Sequence, residues 1–203
     1  MMKTIARIIS AIFSPLLSPV YGMIIAVLAS VMSVLPSVLL WNSVIMTFVT
    51  TCILPALAIF AMYRLGYVSD TGLNNRTERT YPYIITLLCY LGCALFFHRA
   101  NAPEWLCGFF LGGAAACAIN IVVNRWWKIS AHAAGMAGLV ALTFRIATAD
   151  LAVVNMNWWI TGVILATGLT MTARVYLGRH TLWQVIAGAA NGFICVYFLS
   201  MIQ

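Results

Sequence analysis

A short polar stretch near the carboxyl end of the chain places an arginine, a histidine and a glutamine at regular spacing. Arg174 precedes His180 by six residues, and Gln184 follows His180 by four. Four residues make about one helical turn, so a helix that starts after His180 brings the Gln184 amide within reach of the imidazole. Guanidinium groups bind phosphate oxygens in pairs, and an oriented imidazole can act as nucleophile or acid. An arginine beside an oriented imidazole suits a phosphoryl group if further arginines converge on it.

A second histidine stands at the start of an apolar segment in the middle of the chain. Ser130, Ala131 and His132 follow Lys128 there. The first turn of a helix has free backbone amides and the positive end of the helix dipole, so this segment predicts a phosphate cradle. The alternative for Ser130 is a purely structural role as the N-cap of the helix.

A third polar stretch adds two more guanidinium groups, those of Arg76 and Arg79. Several arginines that converge from separate loops suit a phosphoryl group with its spread of charge. Cations at the ends of membrane spans also extend towards the head groups without any chemical role, and this alternative applies to Arg76, Arg79 and Lys128.

The elements that must position these groups lie in lipid. Of 203 residues, 64% are hydrophobic and 7% are charged, whereas a soluble chain has about a quarter charged residues. A span needs about 20 apolar residues, so the length allows six or seven spans. Apolar segments occur at about 15–35, 39–63, 82–98, 104–124, 130–149, 156–173 and 181–201. Lipid-embedded backbone must bond within its own segment, which predicts an all-α polytopic bundle forming one domain over residues 1–203.

The basic residues are distributed unevenly between the connections. Three connections are basic, and each follows an even number of spans, so they share one face of the membrane with the amino terminus. That face carries Lys3, Arg7, Arg64, Arg76, Arg79, Arg125, Lys128, Arg174 and Arg179. The positive-inside rule alone explains such a bias and would place this face in the cytoplasm. However, two of the three histidines lie in the same loops, and polar groups at membrane depth are usually functional.

The net charge of +7 is scattered between apolar spans instead of being gathered in a basic domain. This pattern argues against nucleic acid as a partner and favours the bilayer and anionic lipid head groups.

The motifs resemble those of the type 2 phosphatidic acid phosphatase superfamily, which includes the vanadium haloperoxidases. That family has a lysine, six residues and Arg-Pro; then Pro-Ser-Gly-His; then Ser-Arg, five residues, His, three residues and Asp. Here the second motif reads Ile129, Ser130, Ala131, His132, and the third reads Ala173, Arg174, then His180 and Gln184.

The resemblance implies a role for each matching position. His180 would form a phosphohistidine, Gln184 would orient its ring, and His132 would be the general acid. The phosphoryl oxygens would be bound by Arg174, Arg79, Ser130 and the amide near Ala131, with Arg76 or Lys128 replacing the charge of the family's lysine. No metal or other cofactor is expected, because the chain has no carboxylate pair or histidine pair spaced as metal ligands.

The chain departs from the family at three points. Gly72 stands where the lysine is expected, Gln184 replaces the aspartate, and Thr80 follows Arg79 in place of proline. An amide orients imidazole without the full charge of a carboxylate, which predicts a slower or differently tuned enzyme.

The expected function is hydrolysis of a lipid phosphomonoester or diphosphate. The resemblance offers phosphatidic acid, phosphatidylglycerophosphate, undecaprenyl diphosphate and lipid A phosphates as substrates. The alternatives are a catalytically silent protein that binds or transports lipid phosphates, and a phosphotransferase that needs a second lipid. The expected location is a bacterial cytoplasmic membrane, and family members often act at its outer face, in conflict with the charge bias.

Overall fold

The protein is a helical bundle. The computed structural model describes residues 1–201, and within this range it contains no β-strand. The helices are α1 (Met2–Ile12), α2 (Ser18–Ala29), α3 (Ser37–Phe48), α4 (Leu54–Arg64), α5 (Thr80–Arg99), α6 (Glu104–Val123), α7 (Ala131–Thr148), α8 (Asn157–Tyr176) and α9 (Leu182–Leu199). The predicted all-α class is confirmed.

Five helical segments are long and apolar enough to cross a bilayer, which makes the chain an integral membrane protein. They are Ser37–Arg64, Thr77–Arg99, Glu104–Val123, Ala131–Thr148 and Leu182–Leu199. The first of these joins α3 to α4 through a π-helical turn at Val49–Ile53. Pro55 follows that turn and has no backbone N–H. The wider turn accommodates the helix carbonyl that is left without this donor.

The apolar stretch predicted as a span over residues 15–35 contains a short helix, α2, followed by a 3-10 turn, instead of one continuous helix. Helix α2 has 12 residues and is therefore about 18 Å long, shorter than a hydrocarbon core of about 30 Å. The helix stops at Ser30, whose hydroxyl donates to the Ala26 carbonyl and accepts from the amide of Met32 at the start of a 3-10 turn. Local capping by this serine interrupts the apolar run.

The predicted span over residues 156–173 corresponds to α8, which has 20 residues but is not among the five most apolar segments. The hydroxyls of Thr167 and Thr170 donate hydrogen bonds to carbonyls one turn earlier in α8. Such threonines lower the hydropathy of a helix without leaving polar groups unpaired in lipid.

Close contact between α7 and α9 brings the two predicted histidine motifs together. A Cβ atom at Gly188 would collide with the Ser130 carbonyl, and one at Gly192 would collide with the Ala134 carbonyl. Small residues allow helix backbones in membranes to approach in this way. The starts of both helices, where His132 and His180 are found, therefore lie side by side.

Direct hydrogen bonds hold the three basic loops together at one end of the bundle. Arg76 Nη1 donates to the Asn124 carbonyl over 2.9 Å, and Asn124 Nδ2 donates to the Arg76 carbonyl over 2.8 Å. The Ser130 amide donates to the Gln184 carbonyl over 3.3 Å. The loops thus meet as the span parity predicted.

Helix α1 packs on α8 at this same end of the bundle. It buries Ala6 and Ser10, one turn apart, and exposes Ile5, Ile8 and Ile12. An amphipathic helix with an apolar face left open beside a bundle of spans is typical of a helix that lies in the membrane interface.

Candidate active site

A cavity of about 560 Å³ opens at the loop end of the bundle and continues between the helices. Four arginines and both loop histidines contribute to its wall: Arg7, Arg79, Arg174, Arg179, His132 and His180. No aspartate or glutamate is found among the described residues that line it. Guanidinium and imidazole groups without a carboxylate make a site for an anion.

His180 is held by the side chain that the spacing predicted. Its Nδ1 lies 3.3 Å from Oε1 of Gln184, and the imidazole is buried. Thr181 and Gln184 form a capping box at the start of α9, in which the Thr181 amide donates to the same Oε1 over 3.1 Å. The cap of the helix therefore also fixes the position of the histidine partner.

This arrangement determines the tautomer of His180. A backbone amide can only donate, so the Gln184 atom that faces Thr181 must be the amide oxygen. The same oxygen accepts from His180, and the proton of a neutral imidazole must then be on Nδ1. The Nε2 lone pair of His180 remains unengaged.

The surroundings of His180 keep its imidazole neutral. Burial and then repulsion by Arg79, Arg174 and Lys128 lower the pKa of His180 to about 3, against a smaller opposing effect of its bond to Gln184. Burial and repulsion by Arg79, Arg174 and Arg179 likewise lower the pKa of Lys128. The cations are close enough to repel one another, and a bound anion would relieve that repulsion.

Arg79 is buried and held by loop carbonyls on two sides. Its Nε donates to the Leu73 carbonyl over 2.7 Å, and its Nη1 reaches the Ile129 carbonyl at 3.4 Å. Two backbone acceptors from different loops fix the plane of the guanidinium at the cavity wall. Neutral carbonyls leave the charge of Arg79 uncompensated.

Arg174 and His132 meet at one residue of α1. Arg174 Nη1 donates to the Ser10 hydroxyl over 2.8 Å, and His132 Nε2 lies 3.2 Å from the Ser10 carbonyl. A carbonyl only accepts, so this contact places a proton on Nε2 of His132. The Nε of Arg174 is buried without a hydrogen-bond partner within residues 1–201.

Three of the predicted phosphate ligands do not reach the cavity wall. The Ser130 hydroxyl is fully buried and accepts from the Ala133 amide over 3.3 Å as the N-cap of α7. Arg76 is engaged with the backbone of the loop after α6. Lys128 is half-buried and acts on His180 only through its charge. Ala131 does line the cavity, as do Arg79, Arg174 and both histidines.

Arg7, Ser10 and Arg179 are among the cavity-lining residues that sequence reasoning missed. Arg179 could have been identified from its position directly before His180 in the third motif. Ser10 carried a weaker signal, since Ala6 and Ser10 are the small residues on one face of an otherwise bulky helix. Nothing in the spacing of the chain connects α1 with residues more than 120 positions away.

A scan of family models finds no match to this chain, and no curated protein or solved structure is significantly similar to it.

A second cluster of polar residues lies far from this site. His98, Glu104 and Cys107 place their ligand atoms within 4.8 Å of one another, and His98 Nδ1 is 3.3 Å from a Glu104 carboxylate oxygen. His98 is near the end of α5, a helix of 20 residues, so about 30 Å separates the cluster from the loop end. The cluster is separate from the cavity and has the geometry of an exposed ion pair.

Proposed function

We propose that this protein is a lipid phosphatase of the inner membrane of a bacterium, which hydrolyses a phosphomonoester or diphosphate through a phosphohistidine at His180. The observation that carries the proposal is the orientation of that imidazole. Gln184 and the Thr181 amide fix its proton on Nδ1, which leaves the Nε2 lone pair available, and His180 lines an arginine-lined cavity.

The chemistry begins with the Nε2 lone pair of His180. This nitrogen attacks phosphorus, the bond from phosphorus to the lipid oxygen breaks, and the electron pair leaves with that oxygen. A buried histidine that is neutral at physiological pH has this lone pair available, and the Gln184 oxygen keeps the Nδ1 proton in place as positive charge develops on the ring.

His132 is the group that supplies a proton to the departing lipid oxygen. A lipid phosphate that binds as its monoanion passes its proton to Nδ1 of His132, whose Nε2 proton stays on the Ser10 carbonyl. His132 then donates the Nδ1 proton to the leaving oxygen. Water then attacks phosphorus, passes a proton to His132 Nδ1, and breaks the bond from phosphorus to His180. Inorganic phosphate and the original His180 result.

The arginines stabilise the phosphoryl oxygens as their charge spreads in the transition state. Arg79 is already fixed by two carbonyls before a ligand binds, so little reorganisation is needed. Arg174 has a buried Nε without a partner within the described range, and an anion in the cavity would supply the missing acceptor.

The shape of the cavity supports a lipid as the substrate. Below the arginines, the wall consists of residues from the membrane-spanning helices, among them Phe109, Gly113, Cys117 and Val196. Val196 comes fourteen residues after the start of α9, so the cavity reaches about 20 Å towards the far side. An acyl or isoprenoid tail fits an apolar channel of this depth.

The experiment that tests the proposal measures inorganic phosphate released by purified protein in detergent with a chelator present. The panel contains phosphatidic acid, phosphatidylglycerophosphate, undecaprenyl diphosphate and a lipid A phosphate. The parent is compared with His180→Ala and with His98→Ala, a histidine at the opposite end of the bundle. We expect release that survives the chelator, disappears in His180→Ala and persists in His98→Ala.

Other outcomes of this experiment would favour a different function. Binding of a lipid phosphate without release would favour a silent binding or transport protein. Release or transfer only after a second lipid is added would favour a phosphotransferase. Activity that survives in His180→Ala would overturn the assignment of the nucleophile.

A further inference from the structure

Ser10 is the point at which the amino-terminal helix enters the cavity. It is 7% exposed, whereas the isoleucines at positions 5, 8 and 12 of α1 are all at least 43% exposed. It lies 164 residues from Arg174 and 122 from His132, yet it is hydrogen-bonded to both. These contacts make α1 part of the candidate site.

The backbone carbonyl of Ser10 has no partner within α1 because the helix ends nearby. The last carbonyls of a helix have no partner within it, and α1 ends at Ile12. The Ser10 carbonyl accepts from His132, and the Ile12 carbonyl accepts from the Tyr21 hydroxyl over 2.8 Å. Side chains from α7 and α2 therefore fix the position of the carboxyl end of α1.

The hydroxyl of Ser10 has one donor function that is still available. Its oxygen accepts from Arg174 Nη1 over 2.8 Å, so its own proton must point away from the guanidinium. None of the described residues accepts that proton. A hydroxyl that accepts from a cation is a stronger donor, because hydrogen bonds in a chain polarise one another.

We propose that Ser10 is a substrate-binding residue whose hydroxyl, held by Arg174, donates a hydrogen bond to a phosphoryl oxygen in the cavity. The proposal rests on the proposed function of the cavity as a phosphoryl site. Arg174 and Ser10 then act as a relay, in which the guanidinium orients the hydroxyl and the hydroxyl contacts the anion. The carbonyl of the same residue holds His132 beside the anion.

The placement of Ser10 on α1 also assigns a role to that helix. The exposed isoleucines and the basic side chains of Lys3 and Arg7 suit a helix anchored among anionic head groups,. Arg7 lines the cavity one turn before Ser10. A lipid phosphate entering from the interface would meet both residues of this helix on its way to His180.

The test uses the full-length protein and inorganic phosphate as the probe, with binding measured by isothermal titration calorimetry. Ser10→Ala removes the hydroxyl and keeps the carbonyl that holds His132. Ser10→Thr keeps a hydroxyl, and Thr4→Ala is the control on the exposed side of the same helix. Thermal unfolding of each variant in detergent checks that the fold is intact.

We expect Ser10→Ala to weaken phosphate binding about tenfold or more, as removal of a hydrogen bond to a charged group does. Ser10→Thr should stay within about threefold of the parent, and Thr4→Ala should match it. Where a lipid substrate is hydrolysed, Ser10→Ala should raise KM more than it lowers kcat. Loss of binding in Ser10→Ala with an unchanged melting temperature supports the inference.

Unchanged or tighter phosphate binding in Ser10→Ala would overturn it, since tighter binding would mean that Ser10 competes with the anion for Arg174. If Ser10→Ala lowers the melting temperature, Ser10→Thr decides: recovery of stability without recovery of phosphate binding contradicts the inference. Phosphate binding that depends on Ser10 without lipid hydrolysis would uphold the site while the proposed hydrolysis fails.

Discussion

Gln184 accepts hydrogen bonds from His180 and from the Thr181 amide with the same oxygen atom, Oε1. One side chain thus completes the cap of α9 and fixes the tautomer of the histidine that precedes it. The two functions can be separated, because the Thr181 hydroxyl takes part in the cap alone.

Gln184→Met keeps the length of the side chain and removes the acceptor. The His180 ring would then lose the bond that holds its proton on Nδ1, and we expect kcat for phosphate release to fall about 10- to 100-fold. Thr181→Ala is the matched control, which should lower the free energy of unfolding by about 1 kcal/mol and leave kcat unchanged. Equal losses of kcat in both variants would show that only the helix cap matters.

The low pKa of His180 predicts how stability depends on pH. The value falls from 6.5 in the unfolded chain to about 3 in the folded protein. Between these values the unfolded chain binds a proton that the folded protein does not, so stability falls as the pH decreases from 6.5 towards 3. The slope from this one group is about 1.4 kcal/mol per pH unit.

Melting temperatures in detergent between pH 4.5 and 7.5 measure this effect. His180→Asn removes the group and should flatten the decline at acid pH, whereas His98→Asn, at an exposed position near the far end of α5, should leave it unchanged. An identical decline in the parent and in His180→Asn would contradict the burial and repulsion described for His180.

Arg79 and Arg76 lie three residues apart and should respond differently to substitution by lysine. Arg79 lines the cavity, and two carbonyls fix its guanidinium. Arg79→Lys should therefore lower kcat/KM about tenfold or more, because an ammonium cannot form the paired hydrogen bonds of a planar guanidinium. Arg76 bonds to loop carbonyls, so Arg76→Lys should lower the melting temperature and leave kcat/KM within about twofold.

Steady-state kinetics on one lipid phosphate, together with thermal unfolding, distinguish the two cases. A larger loss of kcat/KM in Arg76→Lys than in Arg79→Lys would mean that the cavity wall has been assigned to the wrong arginine.

Much of the fold follows from the sequence because lipid permits few solutions. Continuous apolar runs predicted the segments that became α5, α6, α7 and α9, and span parity predicted that the basic loops would meet. The apolar run over residues 15–35 did not reveal that its helix ends at Ser30, because the hydrogen bond from the Ser30 hydroxyl to the Ala26 carbonyl is a local contact that hydropathy does not register.

The candidate site was predictable where its residues share one loop. His180, Gln184 and Arg174 are linked by helix periodicity alone. Ser10 was not predictable, because its contacts depend on where α1 packs on α8. The sequence left both roles open for Ser130, because an N-cap and a phosphate ligand use the same residue type at the same place. Its burial and its bond from the Ala133 amide favour the cap.

The membrane topology makes a separate prediction. Asn75 lies in the loop before α5 and Asn101 in the loop after it, so single cysteines introduced at these positions should be labelled from opposite sides of the membrane by an impermeant maleimide. The side that labels Asn75→Cys is also the side of the cavity mouth. Labelling of both from one side would contradict the crossing by α5.

A phosphohistidine at His180 is tested most directly by trapping the phosphorylated protein. A lipid substrate labelled with phosphorus-32 is mixed with the purified protein, quenched in alkali and analysed by peptide mapping. We expect label on the peptide that contains His180, stable in alkali and lost in acid as a phosphoramidate is, and absent from His180→Ala. Phosphate release with no label on His180, or label that persists in His180→Ala, would rule out His180 as the nucleophile.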